Sequence, residues 1–324
     1  MIPFKSFMAL QLEEYIAYRR SLGYTDKNLR SQLRPFDRYL IEKSADRTSL
    51  EPRFFLELRK DLKGEPRTVN GILSALRGLF QYLIRKGIYK ENPLLDIPLC
   101  TENAYIPFVF SPDQIEQLLL AIQKKIRKSR MHFFNDLTAY VAIVLMARCG
   151  MRISEPLRLQ LEHYRSREGT LYIEKTKFSK DRLIPVPKPT INEINNYLTV
   201  RNTFIGESQN PYLLAEQNGK RLPNNRIYPV FHQAVKDIGI DQPRRIIANT
   251  TFGAPVCHSL RHSFAINTLK QIKDQGKSPQ YALPILSVYM GHRKYQYTAV
   301  YLKVLDAKHR QGLVDFAISM QDKI

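Results

Sequence analysis

The chain has 324 residues, of which 44% are hydrophobic, so it is long enough for two domains with substantial hydrophobic cores. Its formal net charge is +20, and both the first hundred residues and the remainder carry more Lys and Arg than Asp and Glu. This distribution excludes a single basic tail on a neutral body and indicates a polyanionic partner, although a generally basic soluble protein would show the same total.

Three cysteines without CxxC spacing, Cys100, Cys149 and Cys257, predict neither a disulfide framework nor a zinc site. They favour a reducing compartment. The N-terminus has no signal-peptide h-region, and no apolar run approaches the roughly 20 residues of a membrane span. We therefore expect a cytoplasmic protein without a membrane partner.

Apolar residues spaced three and four apart, over 7–16, 29–40, 54–58 and 69–83, predict four helices in the first hundred residues. The first is expected to end at Gly23, the second to begin near 25–26 and the fourth to end before Gly87. Pro35 lies inside the second stripe, so we expect a kink or an early helix end there. The segment 98–107 contains Pro98 and Pro107 and shows little periodicity. It is the predicted linker between a helical domain, 1–97, and a second domain, 108–324.

The second domain begins with a predicted capping box, in which Ser111 is the N-cap and Gln114 follows three residues later. Apolar periodicity then predicts helices over 115–126, 137–145, 191–198, 227–238 and 260–272. Two short apolar runs, 171–173 and 183–186, flank a basic segment and predict a β-hairpin, whereas 246–255 is expected to be irregular. The fold class is therefore mainly α with a small β-hairpin or sheet.

Two candidate phosphate-binding or catalytic positions lie in the middle of the chain. Arg152 follows a buried helix and Glu155 comes three residues later, so the guanidinium could bind phosphate while the carboxylate orients it. A purely structural salt bridge would have the same spacing. Lys177 near the hairpin tip could protonate a leaving alkoxide, but most lysines in such hairpins are solvated or bind phosphate, and Lys175 and Lys180 are alternatives.

The remaining candidates lie between 257 and 302. His258 and Arg261 are three apart on a predicted helix, so they leave from one face and could hold one anion. Gly291 permits a sharp chain reversal before His292, and Tyr301 could be a nucleophile if nearby cations lowered its pKa from about 10. Residue type alone does not separate this tyrosine from its neighbours Tyr289, Tyr295 and Tyr297.

The order of these residues resembles the tyrosine recombinase (phage integrase) family, whose members read R, K, HxxR, GH and Y. The corresponding residues are Arg152, Lys177, His258, Arg261, His292 and Tyr301. The resemblance covers the whole chain. It implies an N-terminal four-helix core-binding (SAM-like) domain and a mixed α+β catalytic domain.

The resemblance also implies a mechanism, a transesterification that needs neither metal nor cofactor. Arg152 and Arg261 would hold the scissile phosphate, with His258 and His292 completing the anion site. Tyr301 would attack to leave a 3′-phosphotyrosine and a free 5′-hydroxyl. Lys177 would be the general acid, and Glu155 would orient Arg152 or His258 from behind the site.

The partner that the resemblance implies is duplex DNA with a specific recombination site. Two duplexes need four active sites, so a homotetramer on paired sites is expected, in which the tail 312–317 docks on a neighbouring subunit. A related recombinase or accessory DNA-bending proteins are further partners of this kind. The expected reaction is integration, excision, transposition or resolution, as in a mobile element.

Two other functions share this scaffold. A type IB topoisomerase-like enzyme would use the same chemistry to relax one duplex as a monomer, and strand exchange between paired sites would distinguish it. A catalytically silent DNA-binding regulator is disfavoured, because every polar position of the motif is filled.

Overall fold

The structure is a computed structural model, and it describes residues 3–24, 26–174, 181–206, 210–216, 220–292, 294–302 and 304. The hairpin tip with Lys177 and the tail 312–317 lie outside the described residues. The chain divides into two compact units, Met1–Asn103 and Ala104–Ile324. Among the helices that the structure describes, none is long and apolar enough to cross a membrane.

The first unit is built from helices α1 (Ala9–Ser21), α2 (Asp26–Glu42), α3 (Pro52–Asp61) and α4 (Pro66–Arg85). Their apolar faces meet in one core, where Phe36 of α2, Phe55 of α3 and Phe80 of α4 are fully buried. Neighbouring rings in this core lie 5.3 to 5.9 Å apart. Burial of these large side chains is the main stabilising contribution to the first unit.

Helix α2 continues past Pro35 to Glu42, so of the two expected outcomes at this proline, a kink or an early end, the early end is wrong. Leu33, Phe36 and Leu40 lie on one face of α2, and all three are buried. Packing of this face outweighs the one backbone hydrogen bond that proline cannot donate.

The segment 98–107, predicted as a linker, contains ordered contacts at both of its ends. The side chain of Asn70 on α4 donates to the Cys100 carbonyl at 2.9 Å and accepts from the Cys100 amide at 2.7 Å. Strand β1 (Ala104–Ile106) is the first element of the second unit. The division between the two units therefore falls at residues 103 and 104, inside this segment.

Within the described residues, the second unit contains helices α5 (Pro112–Lys124), α6 (Arg130–Arg148), α7 (Lys188–Ile205), α8 (Asn224–Asp237), α9 (Cys257–Asp274) and α10 (Pro279–Met290), and residues 296–302 are also helical. Two single turns of 3₁₀-helix lie at Pro156–Arg158 and Leu161–His163. The remaining strands are β2 (Tyr164–Arg165), β3 (Thr170–Ile173), β4 (Arg182–Pro185), β5 (Arg245–Ile247) and β6 (Thr250–Phe252). The capping box at Ser111 is confirmed, because its hydroxyl accepts from the Gln114 amide while the Gln114 side chain accepts from the Ser111 amide.

In the part of the chain that the structure describes, two three-stranded sheets accompany the helices. The predicted hairpin is confirmed as β3 and β4, which pair antiparallel with Leu171 opposite Ile184, and β2 joins it on the other side of β3. The expectation of an irregular 246–255 is wrong, because β5 and β6 form a second antiparallel pair and β1 joins β6 in parallel. These strands are three residues long, too short for an alternating pattern to be read from the sequence.

Helix α6 forms the centre of the second unit, where residues 139–147 are buried on every side. It is followed by Gly150, whose φ of +59° turns the chain, and a Cβ there would lie 2.5 Å from the Phe264 ring of α9. Only glycine fits this close approach. The turn places the next residues, Met151 to Glu155, at the end of α6 and beside α9.

Candidate active site

A buried carboxylate lies at the centre of the candidate site. Glu155 is 3% exposed, and its oxygens accept from Arg152 Nη1 at 2.8 Å and from Arg182 Nη1 and Nη2 at 3.2 and 2.8 Å. Arg261 Nη1 lies 3.9 Å from Oε2. Burial by itself would raise the pKa of Glu155, but the hydrogen bonds and charge of Arg182, with the charge of Arg261, hold it at about 2. The carboxylate is therefore ionised at neutral pH and orients three arginines.

Arg152 is held at two points and remains partly open. Its backbone N–H donates to Glu155 Oε2 at 2.8 Å, and its Nη2 donates to the Gly291 carbonyl at 3.3 Å. The side chain is 21% exposed. The guanidinium can therefore donate to an incoming anion while Glu155 keeps its orientation.

Arg261 is the largest fully buried side chain of the structure's described residues, at 1% exposure. Its Nη1 donates to the Gly150 carbonyl at 2.7 Å, and its Nη2 donates to the Met290 carbonyl. These carbonyls lie at the C-terminal ends of α6 and α10, where the helix dipole favours a cation. Burial, together with the charge of Arg152, lowers the pKa of Arg261 to about 9, which still leaves it protonated at neutral pH.

Two of the predicted histidines adjoin this arginine pair. His258 lies one helical turn before Arg261, and its side chain is partly exposed. Desolvation lowers the pKa of its ring, and the charges of Arg261 and Arg152 lower it further. His292 follows Gly291, which ends α10 with a φ of +62°. Its Nδ1 lies 2.8 Å from Thr298 Oγ1. Burial and the charges of Arg261 and Arg152 lower the pKa of His292 to about 4.

The structure distinguishes Tyr301 from the neighbouring tyrosines. Its side chain is 5% exposed, its ring centroid lies 6.1 Å from that of His292, and its hydroxyl lies 3.2 Å from Nδ1 of His262. Burial raises the pKa of Tyr301, and the charges of Arg261 and Arg152 oppose that increase. The phenol is thus protonated at rest beside two arginines.

The other three tyrosines have different surroundings. Tyr289 stacks on Phe264 with ring centroids 5.3 Å apart, and burial raises its pKa. Tyr295 and Tyr297 are about half exposed, at 48% and 53%. Of the four candidates, Tyr301 is the one that the structure brings into contact with the histidine cluster.

Three residues of the site were missed from the sequence: Arg182, His262 and Thr298. Arg182 is the first residue of β4, and it faces inward with Ile184 while Leu183 and Pro185 face outward. An arginine on the buried face of a predicted strand was a signal for a buried acidic partner. His262 lies one helical turn after His258, a spacing that was also visible in the sequence. Thr298 had no such signal.

Lys177 lies outside the described residues, but the base of its hairpin is described. Arg182 follows the tip directly along the chain and binds Glu155, so β4 is tied to the arginine cluster. Within the described residues, no group of three or more His, Cys, Asp and Glu side chains is placed to hold a metal ion.

The sequence model of the phage integrase family matches residues 109–308, which is more than half of the chain. The chain belongs to this family. The resemblance seen in the motif order is therefore confirmed, and this integrase is a tyrosine recombinase. It is 25% identical over 324 residues to the tyrosine recombinase XerA of Pyrococcus furiosus, covering 99% of the integrase and 98% of XerA.

Solved structures of low sequence identity share the fold of this chain. The XerH site-specific recombinase, bound to its palindromic difH substrate in a post-cleavage complex, superposes with a TM-score of 0.68 at 20% identity over 93% of this chain and 83% of XerH. A lambda integrase tetramer bound to a Holliday junction gives a TM-score of 0.66 at 16% identity over 92% and 78% of the two chains. The predicted fold class, mainly α with small sheets, is confirmed.

Proposed function

We propose that this tyrosine recombinase cuts and rejoins duplex DNA at a specific site, with Tyr301 as the nucleophile of a 3′-phosphotyrosine intermediate. The observation that carries the proposal is the meeting of residues from four separate segments of the chain. Arg152, the helix carrying His258 and Arg261, the turn at His292 and the helical residues around Tyr301 surround one place.

The arginines supply the electrostatic part of the reaction. Arg261 has five N–H donors, of which the Gly150 and Met290 carbonyls engage one on each terminal nitrogen, so others remain for a phosphate oxygen. Arg152 is partly exposed and donates from the other side. Both are oriented before DNA arrives, and this preorganised positive charge stabilises the extra negative charge of the pentavalent transition state.

The bond changes balance without an added cofactor. The Tyr301 oxygen loses its proton and forms a bond to phosphorus as the bond from phosphorus to the 5′-oxygen breaks, and Lys177 gives a proton to that leaving oxygen, so one proton is released for each one supplied. The phosphotyrosine keeps the energy of the broken phosphodiester, so a 5′-hydroxyl can reverse the step without ATP. No metal ion takes part in this scheme, and adduct formation is expected to persist in a chelator.

The first unit is proposed to be the core-binding domain and the second the catalytic domain, with both contacting DNA. The charge of +20 supports this arrangement, because counterion release from DNA favours a strongly basic chain. A homotetramer on two paired sites is proposed as the active assembly, since the exchange of two duplexes requires four cleavages. The lambda integrase tetramer on a Holliday junction supports this part of the proposal.

Covalent trapping tests the proposed function. The integrase is incubated with fragmented genomic DNA in buffer without a metal ion, and the protein is then denatured. The DNA that remains covalently attached is sequenced, and the peptide that carries it is identified by mass spectrometry. The expected adduct lies on Tyr301 and carries one recurrent DNA sequence. Tyr301→Phe keeps the ring and removes only the attacking oxygen, so DNA binding should persist while the adduct disappears.

Tyr297→Phe is the matched control, because this tyrosine is exposed and lies on the same stretch of chain. It should leave the adduct unchanged. Mapping of the adduct onto Tyr295 or Tyr297 would overturn the assignment of the nucleophile. Strand exchange between two copies of the recovered site, compared with relaxation of a supercoiled plasmid, then separates recombination from topoisomerase activity.

A further inference from the structure

Among the residues that the structure describes, one polar side chain outside the motif positions reaches the Tyr301 hydroxyl. His262 lies on α9 one turn after His258, and its Nδ1 is 3.2 Å from the Tyr301 hydroxyl. Its ring meets the Tyr301 ring at 5.7 Å and the His258 ring at 4.6 Å, both nearly edge to face. The ring is therefore fixed on both sides in a position that reaches the attacking oxygen.

We propose that His262 is the general base that takes the phenolic proton of Tyr301 during the cleavage step; this inference rests on the proposed function of Tyr301. In the resting state Nε2 carries the ring proton, and the Tyr301 hydroxyl donates its hydrogen bond to Nδ1. As the bond from oxygen to phosphorus forms, the phenolic proton moves to Nδ1. The reverse step, in which a 5′-hydroxyl attacks the phosphotyrosine, returns this proton to the departing phenolate.

The other histidines are less suited to this role. Nδ1 of His292 is occupied by Thr298 Oγ1 at 2.8 Å, and Thr298 is fully buried. His258 is partly exposed, and its ring contacts the His262 ring. The hydrogen bond that the structure describes for the Tyr301 hydroxyl is made with Nδ1 of His262.

The surroundings of His262 keep its acceptor nitrogen available. Burial lowers the pKa of His262 to about 3, and the charges of His258, Arg261 and His292 act in the same direction. The imidazole is therefore neutral at rest but a weak base before DNA binds, so its part in the reaction depends on a rise in its basicity when the scissile phosphate arrives. A neutral imidazole can accept a proton, whereas an imidazolium cannot. The scissile phosphate brings a negative charge to Arg152 and Arg261, and this charge raises the basicity of a nearby imidazole as the reaction begins.

Single-turnover cleavage of the recovered DNA site, followed by adduct formation, tests this role. His262→Asn retains an acceptor near the Nδ1 position but cannot take up a proton, so cleavage should slow by roughly 10² to 10⁴-fold. His262→Ala should be equally slow, and added imidazole should restore part of its rate. His232→Asn is the matched control, because this histidine of α8 is exposed and packs on Phe231, and its rate should not change.

The cleavage rates of the variants and adduct formation by the unmutated integrase test the role of His262 and the role of Tyr301 separately. His262 is not the base if His262→Asn cleaves at the unmutated rate. The same conclusion follows if imidazole does not rescue His262→Ala while that variant has a normal melting temperature and normal DNA binding. In either case Tyr301 remains the nucleophile. If the unmutated integrase forms no adduct on Tyr301, the proposed function itself fails.

A solvent deuterium isotope effect can be measured on the unmutated integrase, so this test does not depend on whether the variants fold. In DNA whose 5′-bridging oxygen is replaced by sulfur, the thiolate leaves without a proton, so the phenolic proton of Tyr301 is the one still in transfer. A normal solvent deuterium isotope effect on this substrate is expected. Equal rates in light and heavy water would show that no base acts on Tyr301 in the transition state, and would overturn the inference.

Discussion

Replacing Glu155 by glutamine should destabilise the second unit by about 3 kcal/mol at neutral pH. The carboxylate is 3% exposed, and its arginine partners lower its pKa from 4.5 to about 2. A shift of about 2.5 pKa units corresponds to about 3 kcal/mol of interaction between the charged form and its surroundings. Glutamine keeps the size of the side chain but leaves Arg182 and Arg261 buried without a counter-charge.

The pH dependence has a defined direction. The folded-state pKa of Glu155 lies below the unfolded value, so its contribution to stability is complete above about pH 4.5 and is lost as the pH falls towards 2. The difference in stability between the unmutated integrase and Glu155→Gln should therefore shrink through this window. Hydrogen exchange with mass spectrometry assigns the loss to peptides of the second unit, where globally exchanging amides should exchange roughly 10²-fold faster at neutral pH.

Glu116→Gln is the matched control. Glu116 pairs with Arg148 at the same 2.8 Å as the best contacts of Glu155, but its side chain is 57% exposed. An exposed pair contributes about 0 to 1 kcal/mol, so this variant should exchange almost as slowly as the unmutated integrase. Equal exchange rates in Glu155→Gln and Glu116→Gln would refute the conclusion that the buried carboxylate stabilises the arginine cluster.

Two further predictions concern the turn after α10 and the hairpin tip. Gly291→Ala places a Cβ 2.9 Å from Arg182 Nη1 at a φ of +62°, whereas Gly276→Ala meets nothing within 4 Å at a φ of +75°. Both substitutions cost about 1 to 2 kcal/mol of backbone strain. Because only Gly291→Ala also contacts Arg182, only this variant should slow adduct formation. Equal melting temperatures and equal rates of adduct formation in the two variants would contradict the Arg182 contact. Lys177→Ala should cleave ordinary DNA roughly 10² to 10⁴-fold more slowly but sulfur-bridged DNA at nearly the unmutated rate; an equal loss on both substrates would make Lys177 a binding residue.

Local sequence was enough for most helices and for the motif. The apolar stripes of α1 to α4 and the capping box of α5 depend on residues three and four apart, and such spacings are visible without the fold. The order of the arginine, lysine, histidine and tyrosine positions indicated the integrase family before any contact was known. The pairing of β1 with β6 was not visible, since residues 104–106 and 250–252 are far apart in the chain and each strand has three residues.

What the sequence determined by itself was the family and the chemical groups available to the site. The tertiary structure decided which of these groups meet, because their contacts join distant parts of the chain. Arg261 binds carbonyls 111 and 29 residues away, Arg182 reaches a carboxylate 27 residues earlier, and His262 meets a tyrosine 39 residues later. Burial of Glu155 among three arginines, and hence its lowered pKa, likewise arises only when α6, α9 and β4 pack together.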